Sequence, residues 1–187
     1  MTPIPLGILA AQISVAAGSY NLLETEILTG TEASVTFDNL NSTYGADYQH
    51  LQIRMTARTN RPSGSNANVD VQFNSDTGSN YAQHYLLRTT SLVASGSAST
   101  SSIYLGGVPV NATTADAFAG YVYDILDPFE TTKYTTIRAL GGFATGFLGL
   151  HSGLWMNTNA LTSLEIIGEA DFVTGSRFSL YGLKASA

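Results

Sequence analysis

No window of about a dozen residues in this chain repeats its apolar side chains at the 3.6-residue period of a helix, and that absence removes helical folds at the outset. Period-two alternation recurs instead. It is plainest in Gly175 to Lys184 (GSRFSLYGLK), where Arg177, Ser179, Tyr181 and Leu183 fall on one side of a pleated chain and Phe178, Leu180, Gly182 and Lys184 on the other. Leu161 to Phe172 (LTSLEIIGEADF) has the same character, and Val173 to Ser176 carries the glycine a tight reversal needs, so the two stretches are expected to pair as a closing antiparallel hairpin. Apolar residues on both faces predict that the terminal strand lies inside a sheet, with earlier strands around it.

The rest of the chain repeats the pattern. Tyr20 to Leu28, Ala33 to Phe37, Tyr48 to Thr59, Val69 to Phe73 and Tyr81 to Arg88 read as strands, and in the third of these Leu51, Ile53 and Met55 share one face while His50, Gln52, Arg54 and Thr56 share the other. Asn39 to Asp47, Arg61 to Asn68 and Asn74 to Asn80 read as loops. Thr89 to Ser102, a Ser/Thr/Gly/Ala tract without an apolar face, reads as a long exposed loop leading to Ile103 to Leu105. Ala117 to Leu126 and Tyr134 to Leu140 are expected to pair around Asp127 to Lys133, and Phe143 to Trp155 is a glycine-broken strand or bent strand pair.

About nine or ten short strands at roughly ten-residue spacing predict an all-β, single-domain antiparallel sandwich or barrel. A jelly-roll-like sandwich is the expected version, because connections such as Thr89 to Ser102 are too long for simple hairpins. Residues 1–19 hold no charged side chain, and Pro3 and Pro5 favour an extended course, so they are expected to form an N-terminal arm ahead of a sandwich spanning 20–187. Ile4, Leu6, Ile8, Leu9 and Ile13 are its expected partner-binding residues, since these side chains need cover on the domain itself or on a partner. The segment lacks the positive start of a signal peptide and is too short in its apolar run to span a membrane, so cytosolic synthesis with an unprocessed N-terminus is expected.

Composition narrows the function. Charged residues make up 12% of the chain, about half the usual quarter, so much of the surface is neutral and polar. A net charge of -6 with eight scattered Lys and Arg argues against nucleic acid, which is held by clustered basic side chains. The absence of cysteine excludes disulfides, thiolate catalysis and Cys-ligated zinc.

Candidate chemistry is sparse. His50, His84 and His151 lie far apart, outside any metal-binding spacing, and read as surface or loop histidines. No GxSxG elbow exposes a serine, and Asp124 with Asp127 or Glu165 with Glu169 are carboxylate pairs only by proximity in sequence. Asn74 to Asn80 (NSDTGSN) has the alternating oxygens of a calcium loop but no terminal acid, so an Asx-turn loop bonded through Asn74 and Asp76 is expected. Tyr44, Tyr48, Tyr81, Tyr85, Tyr104, Tyr121, Tyr123 and Trp155 could stack on sugar rings if exposed, although sheet-face or subunit contacts account for most of them more simply. No catalytic residue, metal or cofactor is expected.

The strings YNLLETEILTGTEASVTFDNL, YQHLQIRMTARTNR, FNSDTGSNYAQHYL, SGLWMNTNALTSLEI and GSRFSLYGLK, which together span Tyr20 to Lys184, resemble a widespread group of tailed-bacteriophage structural proteins. The resemblance lies in pattern and order and carries no catalytic motif. It implies a non-enzymatic virion component assembled in the host cytoplasm. The expected version is a capsid decoration (cement) protein that binds and stabilises the major capsid lattice, with a tail-associated module that binds host glycan as the alternative. Homo-oligomers suit such a component, and a homotrimer is natural at a local threefold position. The expected partners are therefore further copies and the major capsid protein or tail proteins, with neither nucleic acid nor membrane.

Overall fold

The computed structural model describes residues 20–184, so the 1–19 arm and its residues Ile4, Leu6, Ile8, Leu9 and Ile13 lie outside the described part. In chain order the elements are β1 (Tyr20–Ile27), β2 (Glu32–Phe37), a short helix α1 (Leu40–Tyr44), β3 (His50–Ala57), β4 (Ala67–Phe73), β5 (Tyr81–Arg88) and β6 (Leu92–Thr100). There follow β7 (Ile103–Val108), β8 (Ala119–Leu126), β9 (Thr135–Phe143), β10 (Phe147–Trp155), β11 (Leu164–Phe172) and β12 (Arg177–Leu183). The fold is all-β and antiparallel, in two sheets, with twelve strands where nine or ten were expected. No helix among the described residues is long and apolar enough to cross a membrane.

The large sheet has the order β1-β12-β3-β8-β9-β10-β5-β6 and the small one β2-β11-β4-β7. The order β1-β12-β3-β8 in the large sheet matches β2-β11-β4-β7 in the small one strand for strand, and the chain passes between sheets at β1 to β2, β2 to β3, β3 to β4, β4 to β5, β6 to β7, β7 to β8, β10 to β11 and β11 to β12. That double winding is jelly-roll topology. Two ribbons are inserted into it: β5–β6 between β4 and β7, and β9–β10 between β8 and β11. They join side by side, β10 against β5, and extend the large sheet by four strands.

The topology corrects the closing hairpin. β11 pairs with β2 and β4 in the small sheet, whereas β12 pairs with β1 and β3 in the large one. The turn at Val173 to Ser176 crosses between layers, and Gly175, at φ 87, donates its N–H to the Leu28 carbonyl at 2.8 Å. The terminal strand does lie inside a sheet, as its two-faced pattern requires, and β8 pairs with β9 as expected. Thr89 to Ser102 is not a loop: most of it forms β6, a strand exposed along nearly its whole length and held by β5. A strand that buries neither face leaves no alternation to read. The loop expected at Asn39 to Asp47 likewise contains α1, anchored by the buried Leu40.

The core fills the space between the inner faces. Ile53, Met55, Tyr123, Ile125, Phe178 and Leu180 from the large sheet meet Val69, Val71, Phe73, Leu164, Ile166 and Phe172 from the small one. Phe172 and Phe178 pack edge to face, their centroids 5.0 Å apart, at the crossing between layers. Arg58 is buried without a carboxylate; its guanidinium donates to the carbonyls of Val110 (2.8 Å), Thr114 (2.9 Å) and Ala117 (3.0 Å), so one side chain satisfies the long link from β7 to β8. Gly106, at φ 135, lets the Tyr121 ring approach closely, and a Cβ there would lie 2.4 Å from the Tyr121 hydroxyl. Phe178→Ala opens a cavity at the layer crossing and is expected to cost about 3–5 kcal/mol in urea-unfolding free energy. A loss under about 1 kcal/mol would contradict this account of the core.

Candidate functional site

The large sheet has twice as many strands as the small one, and the two sides of its extension differ. On the inner side, the β5–β6 ribbon and the edge strand β7 border an open cleft of about 710 Å³. Asn68 and Asp70 of β4, Gln83 and Tyr85 of β5, Tyr104 of β7 and Ser99 to Ser102 line it. Asp70 stands opposite Tyr104 in the β4–β7 ladder, which sets both on the outer face of the small sheet. The Tyr104 N–H donates to the Gln83 side-chain oxygen, tying the ribbon to the small sheet's edge. Tyr85 and Tyr104 meet edge to face at 5.5 Å, and both rings are half-buried.

Beneath these tyrosines lies His151, which is 1% exposed and corrects the expectation of a surface or loop histidine. Its ring is 5.0 Å from Tyr104, 5.8 Å from Tyr85 and 6.2 Å from Phe147, and neither ring nitrogen completes a hydrogen bond among the described residues. Burial pushes its pKa down to about 4, outweighing the pull of the Tyr104 backbone, so the ring is neutral at pH 7. Asp70 moves the other way: burial, with the Glu169 carboxylate nearby, raises it to about 6. Its carboxylate forms no side-chain hydrogen bond among the described residues and is free to accept one in the cleft.

The outer side of the extension is bare and aliphatic. Leu86, Leu140, Leu148 and Leu150 are exposed there, and so is Leu92, at 70%. Leu86, Leu140, Leu148 and Leu150 were read as ordinary strand positions and Leu92 as part of a loop, and the signal that could have found the face is that β10 alternates apolar residues on both faces, as a strand covered on both sides does.

The remaining candidates divide. Tyr81, Tyr121, Tyr123 and Trp155 are buried and cannot meet a sugar, whereas Tyr85 and Tyr104 reach the cleft. Tyr44 and Tyr48 pair with each other at 6.3 Å, away from it. Asn74 to Asn80 is a self-bonded turn through Asp76, which accepts from Gly78 N–H (2.9 Å), the Asn80 amide (2.9 Å) and the Trp155 indole (2.8 Å). The indole above all, helped by the amide and backbone donors, holds that carboxyl below its ordinary range. Asn74 instead caps the segment before β11, accepting from Thr162 and Ser163 N–H at 2.7 and 3.0 Å.

The carboxylate pairs are split among cations: Asp124 accepts from Arg138, Asp127 from Lys133, and Glu169 from Arg61. His50 accepts the Asp127 backbone N–H at 3.0 Å, and His84 is exposed on β5 opposite Gly96. Among the described residues no three His, Asp or Glu side chains group as metal ligands. No protein-family model matches the sequence, and a search of curated proteins finds no matching relative.

The two shifted groups have opposite effects on stability in one pH window. Below pH 6.5 the unfolded chain protonates His151 while the folded chain resists until about pH 4, so this group's contribution to stability falls with pH, by about 3 kcal/mol at the low end. Folded Asp70 takes its proton near pH 6, above the 3.8 of the unfolded group, so its contribution rises as pH falls through the same window. Urea unfolding from pH 7 to pH 4 should therefore show Asp70→Asn losing stability more steeply than the parent chain, and His151→Leu losing it less steeply. Equal slopes in all three chains would refute the assignment.

Proposed function

We propose that this chain is a non-enzymatic structural protein of a tailed-bacteriophage virion, serving as a capsid decoration protein that binds and stabilises the lattice of major capsid subunits. The observation that carries the reading is the bare aliphatic face of the large sheet, a surface suited to lasting protein contact rather than to catalysis or to open water. The low charge of the chain points the same way, as does the pairing of Asp124, Asp127 and Glu169 with Arg138, Lys133 and Arg61. The sequence resemblance supplies the virion, since a fold alone does not define a function. Such a protein assembles in the host cytoplasm as a closed homo-oligomer and uses Ile4, Leu6, Ile8, Leu9 and Ile13 to reach a neighbouring subunit.

A second reading, a tail-associated module that binds host glycan, is favoured by one feature. The cleft combines two half-buried tyrosine rings with the unbonded Asp70 carboxylate and the amide of Asn68, which are groups that grip a neutral sugar. Quantitative mass analysis of purified virions tests both. Copies in proportion to the capsid lattice support decoration, a small fixed number supports the tail, and absence from the particle refutes both readings. Removing residues 1–18 is expected to leave the melting temperature within a few degrees and to weaken particle binding. Unchanged binding would remove the arm from the account.

A further inference from the structure

The exposed aliphatic side chains of the extension are not scattered; the strand registers align them. Val122 on β8 stands opposite Leu140 on β9, Leu140 opposite Leu150 on β10, Leu150 opposite Leu86 on β5, and Leu86 opposite Ala94 on β6. One unbroken aliphatic line thus crosses five strands at right angles to them. Two residues along, a second line carries Leu148 on β10 and Leu92 on β6, with Arg88 between them. On the other flank the next line is polar: Asp124 and Arg138, joined at 2.9 Å, then Ser152 and His84. Leu140, Leu148 and Leu150 are 58%, 61% and 52% exposed, although each is held in place by pairing on both sides.

We infer that this face is the contact surface for a second copy of the same chain, the two large sheets stacking outer face to outer face. The arrangement is that of an interface, with an aliphatic centre and charged groups at its margin. Its size fits. Five strands about 4.8 Å apart, with about eight residues at 3.4 Å each, project a face on the order of 600 Å². With side-chain relief the accessible area approaches the roughly 800 Å² per partner of a standard stable interface.

The chemistry selects the partner. The central line offers methyl groups and no donor or acceptor, so nothing in it would distinguish a particular foreign protein. A second copy brings an equally apolar face in equal number, and apolar centres of this kind mark permanent homo-oligomer contacts. Two sheets stacked in this way lie about 10 Å apart, as in any β-sandwich, and would bury the leucines that one chain leaves in water. The inference deepens the structural reading by naming the surface and partner for self-association. It is tested on the isolated protein, so its failure would leave the chain's place in the virion untouched, and absence from virions would leave this result standing.

The test is the mass of the full-length protein in solution at about 100 µM, well above the dissociation constant of a standard-size contact. The parent chain should scatter light as a pair of 19.8 kDa chains. Leu140→Glu with Leu150→Glu sets like charges side by side at the centre of the face and should weaken association at least about 100-fold, giving the single-chain mass. Far-ultraviolet circular dichroism should remain that of the parent. Leu148→Arg, at the strand end, should weaken association in the same direction if the double variant does not fold. Thr36→Glu, exposed on the small sheet, should leave the mass unchanged. A parent chain of single-chain mass, or folded variants that keep the parent's assembly, would overturn the inference.

Discussion

The two sheets differ in width, and the rest of the architecture follows from that difference. The large sheet has eight strands against four in the small one, and of the small sheet it is the edge strand β7 that packs closely on the added strands. The four added strands gain their stability from backbone ladders, from the contact of β9 and β10 with β7, and from the aromatic cluster around His151. A ribbon such as β5–β6 is marginal alone, and it is held because β10 lies along one edge and Gln83 ties it across to β7. The cleft and the bare face are the inner and outer consequences of the same overhang.

The cluster under the cleft is an unusual use of a histidine. On the inner face of β10 it occupies the same row as Phe147 and Trp155, and all three are buried. A neutral imidazole among rings packs as a flat apolar body, and the cost is the proton it cannot accept without leaving that environment. Asp70, on the outer face of the small sheet, bears the opposite penalty by holding a charge where burial disfavours it. Both lie next to Tyr104, and Asp70 and Tyr104 line the cleft.

Much of the fold was legible because period-two alternation reports burial directly. Leu51, Ile53 and Met55 turn inward as their spacing requires, and Phe178 and Leu180 do the same. Where burial was absent, so was the signal: β6 is built from Leu92, Val93 and a run of Ala, Ser and Gly, and only its ladder with β5 makes it a strand. Where burial was present but the layer ambiguous, alternation was silent about topology. Val173 to Ser176 has the composition of a hairpin turn, yet it joins strands of opposite sheets, because a crossing between layers needs the same positive-φ glycine as a reversal within one. His151 was misread as loop or surface, although its register with Phe147 and Trp155 held the information. The cleft was only partly visible: Tyr85 and Tyr104 were singled out, but Asp70 and Gln83 become neighbours through pairings that local sequence does not encode.

Strand β10 carries the argument about the outer face furthest. Its inward row is Phe147, Gly149, His151, Gly153 and Trp155, and its outward row is Leu148, Leu150, Ser152 and Leu154. A strand with one wet face ordinarily puts polar residues outward, as β3 does with Arg54 and Thr56. β10 places three leucines there, and β9 and β5 set Leu140 and Leu86 beside them in register. The sequence of these strands is that of a sheet covered on both sides, while the described chain covers one. Stacking a second apolar layer on that side removes the discrepancy without altering any pairing within the domain.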